Sequence, residues 1–226
     1  MTLADTAYCA MRRDIITGAL APGLPLRMAM LCERYGMGMS PLREALNRLQ
    51  AERLVNAVSL KGFTVAPLSL GELADTTQAR ILVETEALRL SIRKGGDAWE
   101  TGIVAALHAL SLQSQRGEAA GDELEQRHHA FHLALVGACD SRWLLGFFEK
   151  LYAESERYRS QSLNAQRAAS GRDIDAEHRA IAEAALARDA VRASTLLAEH
   201  YRRTEEFVVA HFASVAARRF DADFRK

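Results

Sequence analysis

The sequence predicts a mainly α-helical protein in two parts. Residues 1–67 read as a small three-helix unit with one β-hairpin, and residues 68–226 as an all-α bundle of six helices. Three observations carry this. Apolar residues recur at spacings of three and four along almost the whole chain, the period of a helix with one buried face. Residues 55–66 break that rule, with β-branched side chains alternating around Lys61-Gly62. Pro67 and Ser69 then interrupt the chain before the helical period resumes.

The elements follow in order. Over residues 4–18, Ala7, Ala10, Met11 and Ile15 form an apolar stripe that Gly18 closes. Ala21-Pro22-Gly23 with Pro25 makes a non-helical turn. Met28 to Tyr35 is a short helix ended by Gly36. Ser40 as N-cap and Pro41 at the first helical position open the next, over 42–54. Leu42, Ala45, Leu46 and Leu49 share one of its faces, and Arg43, Asn47 and Gln50 the other. A two-stranded hairpin with a basic, glycine-containing tip follows. Ser69 and Glu72 have capping-box spacing and start a helix that runs to about Lys94, where Gly95-Gly96 stops it. Asp97 and Glu100 repeat that spacing, and helices are expected at 97–116, 121–139, 141–163, 173–187 and 190–214.

With 226 residues, 49% hydrophobic and 26% charged, the chain has the composition of a globular protein, not of a disordered one. Basic and acidic side chains number 29 each, so overall charge is silent about partners. Their distribution is not. Residues 1–67 hold eight basic against five acidic groups, leaving 21 against 24 for the rest, so a head of +3 stands on a body of −3. The three cysteines, Cys9, Cys32 and Cys139, are scattered without a CxxC pair, which argues against a disulfide framework or thiolate zinc site and for a reducing compartment. No secretory signal or membrane-length apolar run is evident, and a cytoplasmic location is expected.

Three helices and a hairpin within about 65 residues outline a winged helix-turn-helix. A helical domain used for protein contacts has the same spacing; the basic tip and Arg43 favour DNA. The residues themselves add more. The run Ile16-x-Gly18-x-Leu20-x-Pro22-Gly23-x-x-Leu26, then Tyr35-Gly36-Met37, Ser40-Pro41-Leu42-Arg43-Glu44-Ala45-Leu46-x-x-Leu49, Leu54-Val55 and Lys61-Gly62-Phe63-x-Val65 resembles the head of GntR transcription regulators. The remainder resembles the FCD ligand-binding body of the FadR subfamily, in its shorter VanR-type form. The matching segments are Ala79-Arg80-x-x-x-Glu84, Ala130-Phe131-His132-x-x-Leu135, Glu177-His178-x-x-Ile181 and Asp189-x-x-x-Ala193. The resemblance implies a homodimeric DNA-binding regulator that binds an inverted-repeat operator and answers a small carboxylic acid. It places Arg27, Ser40, Pro41, Arg43, Asn47, Lys61 and Gly62 at the DNA. Gly38-Met39 departs from the family's usual Ser-Arg, which removes a guanine-reading fork and implies a different operator preference.

Of seven histidines, His128, His132, His178 and His200 form a suggestive set. His128 and His132 stand one helical turn apart, a spacing that suits two bonds to one metal, and bundles build such sites from facing helices. The resemblance implies a metal held by an Asp, a His four residues on and two distant His; here His128 stands where the Asp is expected. An all-imidazole set favours zinc, then nickel or copper, over manganese, and lacks a neutralising carboxylate. The alternative is that His128 is a polar core residue and metal binding is weak or absent. For the effector, Arg80 is the first candidate for a carboxylate fork, against a salt bridge to Glu84 one turn on, with Tyr158 and Arg159 as further candidates. A metal-dependent hydrolase or a sensor without DNA binding is the alternative function, but His129 stands where a zincin has its catalytic Glu. The stretch Arg127-His128-x-Ala130-Phe131-His132, with Leu42–Val55 and Gly95–Trp99, is similar to repressors of glutarate and related dicarboxylate catabolism.

Overall fold

A threonine starts the first helix. The Thr2 hydroxyl accepts from the Asp5 N–H at 3.1 Å while the Asp5 carboxylate accepts from the Thr2 N–H at 2.9 Å, a capping box that opens α1 (Leu3–Ile16). The computed structural model describes residues 1–58, 62–116, 121–169 and 172–223. After α1 come β1 (Pro25–Leu26), α2 (Met28–Tyr35), α3 (Met39–Ala51), β2 (Val55–Val58) and β3 (Gly62–Val65). The chain divides into two units, the first being Met1–Leu73 together with Ala153–Leu163.

In the first unit, Leu42, Ala45, Leu46 and Leu49 of α3 are fully buried with Ala7, Met11 and Ile15 of α1, so the apolar stripes read from the sequence face one another. Each leucine so covered stabilises the fold by about 1.5–3 kcal/mol relative to exposure. Gly36 closes α2 at φ +63°, a left-handed conformation that only glycine adopts without strain, and so sets the turn into α3.

Three local expectations are corrected. The N-cap of α3 is Gly38, in extended backbone, and Ser40 and Pro41 lie inside the first turn. Proline is tolerated there because the first N–H groups of a helix have no intrahelical partner. That helix ends at Ala51, since Arg53 takes φ +60° and turns the chain into β2. The hairpin gains a third strand. Pro25 and Leu26 pair antiparallel with Thr64 and Phe63, giving the sheet order β1-β3-β2. Proline at an edge strand forfeits no ladder bond that its neighbours need. The tip residue Lys61 lies outside the described residues.

Among the described residues six helices follow, the number read from the sequence: α4 (Leu70–Lys94), α5 (Asp97–Gln115), α6 (Gly121–Val136), α7 (Arg142–Ala169), α8 (Ile174–Leu186) and α9 (Ala190–Asp223). Ser69 caps α4 by accepting from Glu72 N–H at 3.3 Å. Gly96, not Asp97, is the N-cap of α5, and Asp97 and Glu100 occupy its first turn, where carboxylates complement the helix dipole. Gly95 is required by close approach, because a Cβ there would stand 2.5 Å from the Trp99 ring. The second unit, Ala74–Tyr152 with Asn164–Lys226, buries Leu88, Ile103, Phe131, Leu135, Phe148 and Ile181 in one core. Trp99 donates its indole N–H to Leu135 O at 3.2 Å, tying α5 to α6 inside it. No helix among the described residues is long and apolar enough to cross a membrane.

Within the first unit, residues 153–163 of α7 hold the ends of other elements. Arg157 donates to Ala66 O at 2.7 Å and Pro67 O at 3.4 Å, Arg12 pairs with Glu156 at 2.6 Å, and Ser160 donates to Ile16 O. Ile16 O closes a helix, and Ala66 O and Pro67 O follow a strand, positions where a carbonyl has no partner within its own element.

Candidate metal centre and nucleic-acid interface

The four histidines meet. His128 and His132 project from α6, His178 from α8 and His200 from α9, and one ligand atom from each lies within 4.8 Å of all the others. His132, His178 and His200 are buried, and His128 is half-buried. The surroundings decide which nitrogen of each ring carries a proton. Tyr152 of α7 donates its hydroxyl to Glu125 at 2.7 Å, so its oxygen accepts from His128 Nδ1 at 2.7 Å. Tyr201 donates to Glu84, so its oxygen accepts from His132 Nδ1 at 3.1 Å. His200 Nδ1 donates to the Glu177 carboxylate at 2.8 Å. Arg172 also approaches that nitrogen at 3.3 Å, but it binds Glu177 at 2.6 Å and His200 O at 3.1 Å, and a carboxylate accepts only. Three rings therefore carry their proton on Nδ1 and present a bare Nε2.

This donor set fits a divalent metal. The Nε2 atoms of His128 and His132 face each other at 3.2 Å. Two lone pairs at that distance repel unless something electropositive lies beside them. Tetrahedral zinc at about 2.0–2.1 Å from each nitrogen sets donors about 3.3 Å apart. Burial, with neighbouring imidazoles and Arg80 adding to it, drives the His132 pKa well below its ordinary value. Burial likewise brings His200 down to about 4, although the Glu177 hydrogen bond opposes it. Burial alone would raise the Glu177 carboxyl; hydrogen bonds from Arg172 and His200 outweigh it and hold that group well below the usual range. Neutral imidazole is the form that binds metal.

Arg80 takes the partner that its spacing allows. Its Nε donates to Glu84 at 2.6 Å, and the guanidinium lies 4.1 Å from the Tyr201 ring centroid and 5.3 Å from that of Tyr152. Tyr158 and Arg159 fall on the segment of α7 that belongs to the first unit. There the Tyr158 hydroxyl accepts from Ser69 N–H at 3.4 Å and Arg159 donates to the Ser155 hydroxyl at 2.7 Å. His129 pairs with Glu149 at 2.8 Å, as a surface residue would. The sequence reading missed Tyr152, Tyr201, Glu125 and Arg172. Glu84 and Glu177 stood inside quoted motifs, the only signal that could have raised them.

On the first unit, Ser40, Arg43 and Asn47 form an exposed stripe along α3, and Arg27 and Gly62 are also exposed; Pro41 is half-buried. Charge separates Arg43 from its neighbours. Arg48 is tied to Asp5 at 2.8 Å and Arg34 to Asp14 at 2.7 Å, whereas among the described residues Arg27 and Arg43 join no ion pair. The second helix of the pair thus presents one cation and two short polar side chains on a face of helical width, suited to base edges and phosphates.

Comparison with known proteins agrees with both halves. Residues 3–65 match the model of bacterial regulatory proteins of the gntR family, and residues 75–203 that of the FCD domain. The HTH-type transcriptional repressor GlaR of Escherichia coli K12 is 40% identical over 200 residues, covering 85% of this chain and 90% of its own. The uncharacterized HTH-type transcriptional regulator BphR of Paraburkholderia xenovorans LB400 is 38% identical over 203 residues, covering 88% and 82%. Among solved structures, E. coli McbR/YncC superposes with a TM-score of 0.77 at 21% identity over 94% of this chain and 99% of that one, a likeness of fold. A GntR-family regulator from Pseudomonas syringae does so with a TM-score of 0.57 at 26% identity over 95% and 88%.

Proposed function

The chain is a GntR-family transcription regulator with an FCD domain, and from that premise we propose a homodimeric, cytoplasmic repressor that a small carboxylic acid releases from its operator. The family and these relatives are regulators, not enzymes, which answers the hydrolase alternative. Residues 1–67 are the DNA-binding domain and 68–226 the effector- and metal-binding domain. Arg43 reads a base in the major groove, Ser40, Pro41, Asn47 and Arg27 position α3, and Lys61-Gly62 contacts phosphates or the minor groove.

The observation that carries the metal reading is the convergence of four imidazole nitrogens within 4.8 Å, three of them with Nε2 left bare. His128, His132, His178 and His200 hold the ion, zinc before nickel. When bound, the ion supplies a positive centre and a coordination position for a carboxylate oxygen. Arg80, above two tyrosine rings at the same centre, completes the anion site once a carboxylate competes for it. The sequence likeness to repressors of glutarate and related dicarboxylate catabolism supports a dicarboxylate, and the repressor among the relatives supports repression.

The test is band-shift titration of the protein's own upstream region. A retarded inverted-repeat fragment, released by a C4–C6 dicarboxylate, is expected. Arg43→Ala should weaken the specific complex by about 1–3 kcal/mol and relax preference at one base pair. No shift of any upstream fragment at low salt overturns the reading.

A further inference from the structure

The large apolar side chains of α2 and α3 turn inward, with one exception. Leu31, Leu42, Leu46 and Leu49 are fully buried, and Met28, Met30 and Met37 pack half-buried against the core they belong to. Met39, the first residue of α3, does neither: 60% of it is exposed. A Cβ on Gly38 before it would meet no atom within 4 Å, so the space ahead of Met39 is open as well. Met39, Arg43 and Asn47 follow at intervals of four, which sets them one above another on one face of the helix, and all three are exposed. A long apolar side chain thus heads a stripe whose other members are a cation and an amide. A thioether donates no hydrogen bond and accepts only weakly, so water does little for it and a partner with an apolar group does more.

Resting on the DNA-reading face assigned to α3, we propose that Met39 is a specificity-determining residue of operator recognition and packs on the C5-methyl group of a thymine in each half-site. The partner follows from the chemistry of the major groove. Base edges there offer acceptors, donors and one apolar group, the thymine methyl. Methionine has no N–H or O–H with which to address guanine N7 and O6 or adenine N7, and no carbonyl or carboxylate oxygen for an amino group. Its unbranched, polarisable chain can instead adapt its shape to a methyl group. The position follows from the helix. In a helix-turn-helix, the N-terminal residues of the second helix meet the base edges. Met39 lies one turn, about 5.4 Å, from Arg43, and base pairs stack about 3.4 Å apart. The thymine therefore stands one or two base pairs from the pair that Arg43 reads. Discrimination there comes from burying a methyl group, whereas Arg43 discriminates by hydrogen bonds.

The test is a mutant cycle between side chain and methyl group on the full-length protein. Selection from a random duplex pool first yields the operator. Deoxyuridine then replaces each of its thymidines in turn, which removes the methyl group and leaves every hydrogen-bonding group and phosphate in place. With wild-type protein, one thymine position per half-site should lose about fourfold in affinity on this exchange, the worth of one buried methyl. Met39→Ala should bind the unmodified operator more weakly and respond to deoxyuridine at that position by less than about 1.5-fold, the signature of a coupled pair. Met39→Leu, which keeps an apolar contact, should retain the sensitivity. Both variants should keep the wild-type thermal midpoint, because the side chain is largely exposed in its own unit. A half-site with no methyl-sensitive thymine overturns the proposal, and so does the same fourfold loss in Met39→Ala, which assigns the methyl to another side chain. If Arg43→Ala still weakens the operator complex in either case, the DNA-reading face stands without Met39. A wild-type protein that enriches no sequence from the pool overturns that face itself, and the role of Met39 with it.

Discussion

One hydroxyl decides which nitrogen of His132 holds its proton. Tyr201 gives its hydrogen to Glu84, so it can only accept from the ring, and Nε2 is left bare toward His128. The same residues make a pH prediction for the metal-free protein. Folded His200 titrates near 4 against an ordinary 6.5, so between those values the unfolded chain binds a proton that the folded one refuses. Stability is therefore complete above about 6.5 and falls as pH drops toward 4, by on the order of 3 kcal/mol at most. His132, shifted in the same direction, adds to the fall. Glu177, held below its ordinary 4.5, loses its contribution only at still lower pH. Thermal midpoints of chelator-treated protein measured from pH 8 to pH 4 should decline through this window. A flat or rising profile means the imidazoles are not buried neutral.

At the scale of elements, helices were legible wherever one face is apolar. The α3 stripe of Leu42, Ala45, Leu46 and Leu49 has the right period and is fully buried. Leu46→Ala should destabilise the protein by about 2–5 kcal/mol in chemical denaturation, because α1 packs on that face and cannot follow the smaller side chain inward. A loss below 1 kcal/mol would mean the stripe is not the core of its unit. The ends of elements were read less well. Gly38 caps α3 where Ser40 was expected, since capping preference ranks residues without excluding glycine, and Pro41 fits the third helical position as well as the first. The two-residue strand Pro25–Leu26 has no alternation to detect and exists because β3 offers it an edge. Four histidines could be grouped because two are a turn apart. Tyr152 has no such spacing: it reaches His128 across 24 positions of chain, through packing of α7 on α6 that no local pattern records. Tyr158 and Arg159 were named for the effector from their place on the helix between the histidine-bearing segments; residues 153–163 count with the first unit, where Tyr158 meets Ser69 and Arg159 meets Ser155.

For the whole molecule, α7 contributes Tyr152 to the second unit and residues 153–163 to the first. Tyr152, against His128, and Arg157, against Ala66 O and Pro67 O, are five residues apart on it. An effector shifts DNA binding only by its differential affinity for competent and incompetent states of the dimer. A metal in the histidine centre would hold α6, α8 and α9 together through direct bonds, and α7 through Tyr152. It thereby limits the arrangements between which a carboxylate must choose. Release of the operator by a dicarboxylate should therefore be strong with metal and weak without it. A coupling of about 1–3 kcal/mol predicts a 5- to 150-fold change in operator affinity for the loaded protein. Chelator treatment, or His178→Ala, should reduce that change to less than threefold while the protein still binds operator. The measurement is fluorescence anisotropy of a labelled operator against increasing acid, before and after chelation and again after zinc is restored. If release persists undiminished in stripped protein, the metal plays no part in signalling and Arg80 with its neighbours is the whole carboxylate site. If stripping abolishes operator binding itself, the ion instead maintains the DNA-competent state, and the acid would act by displacing it.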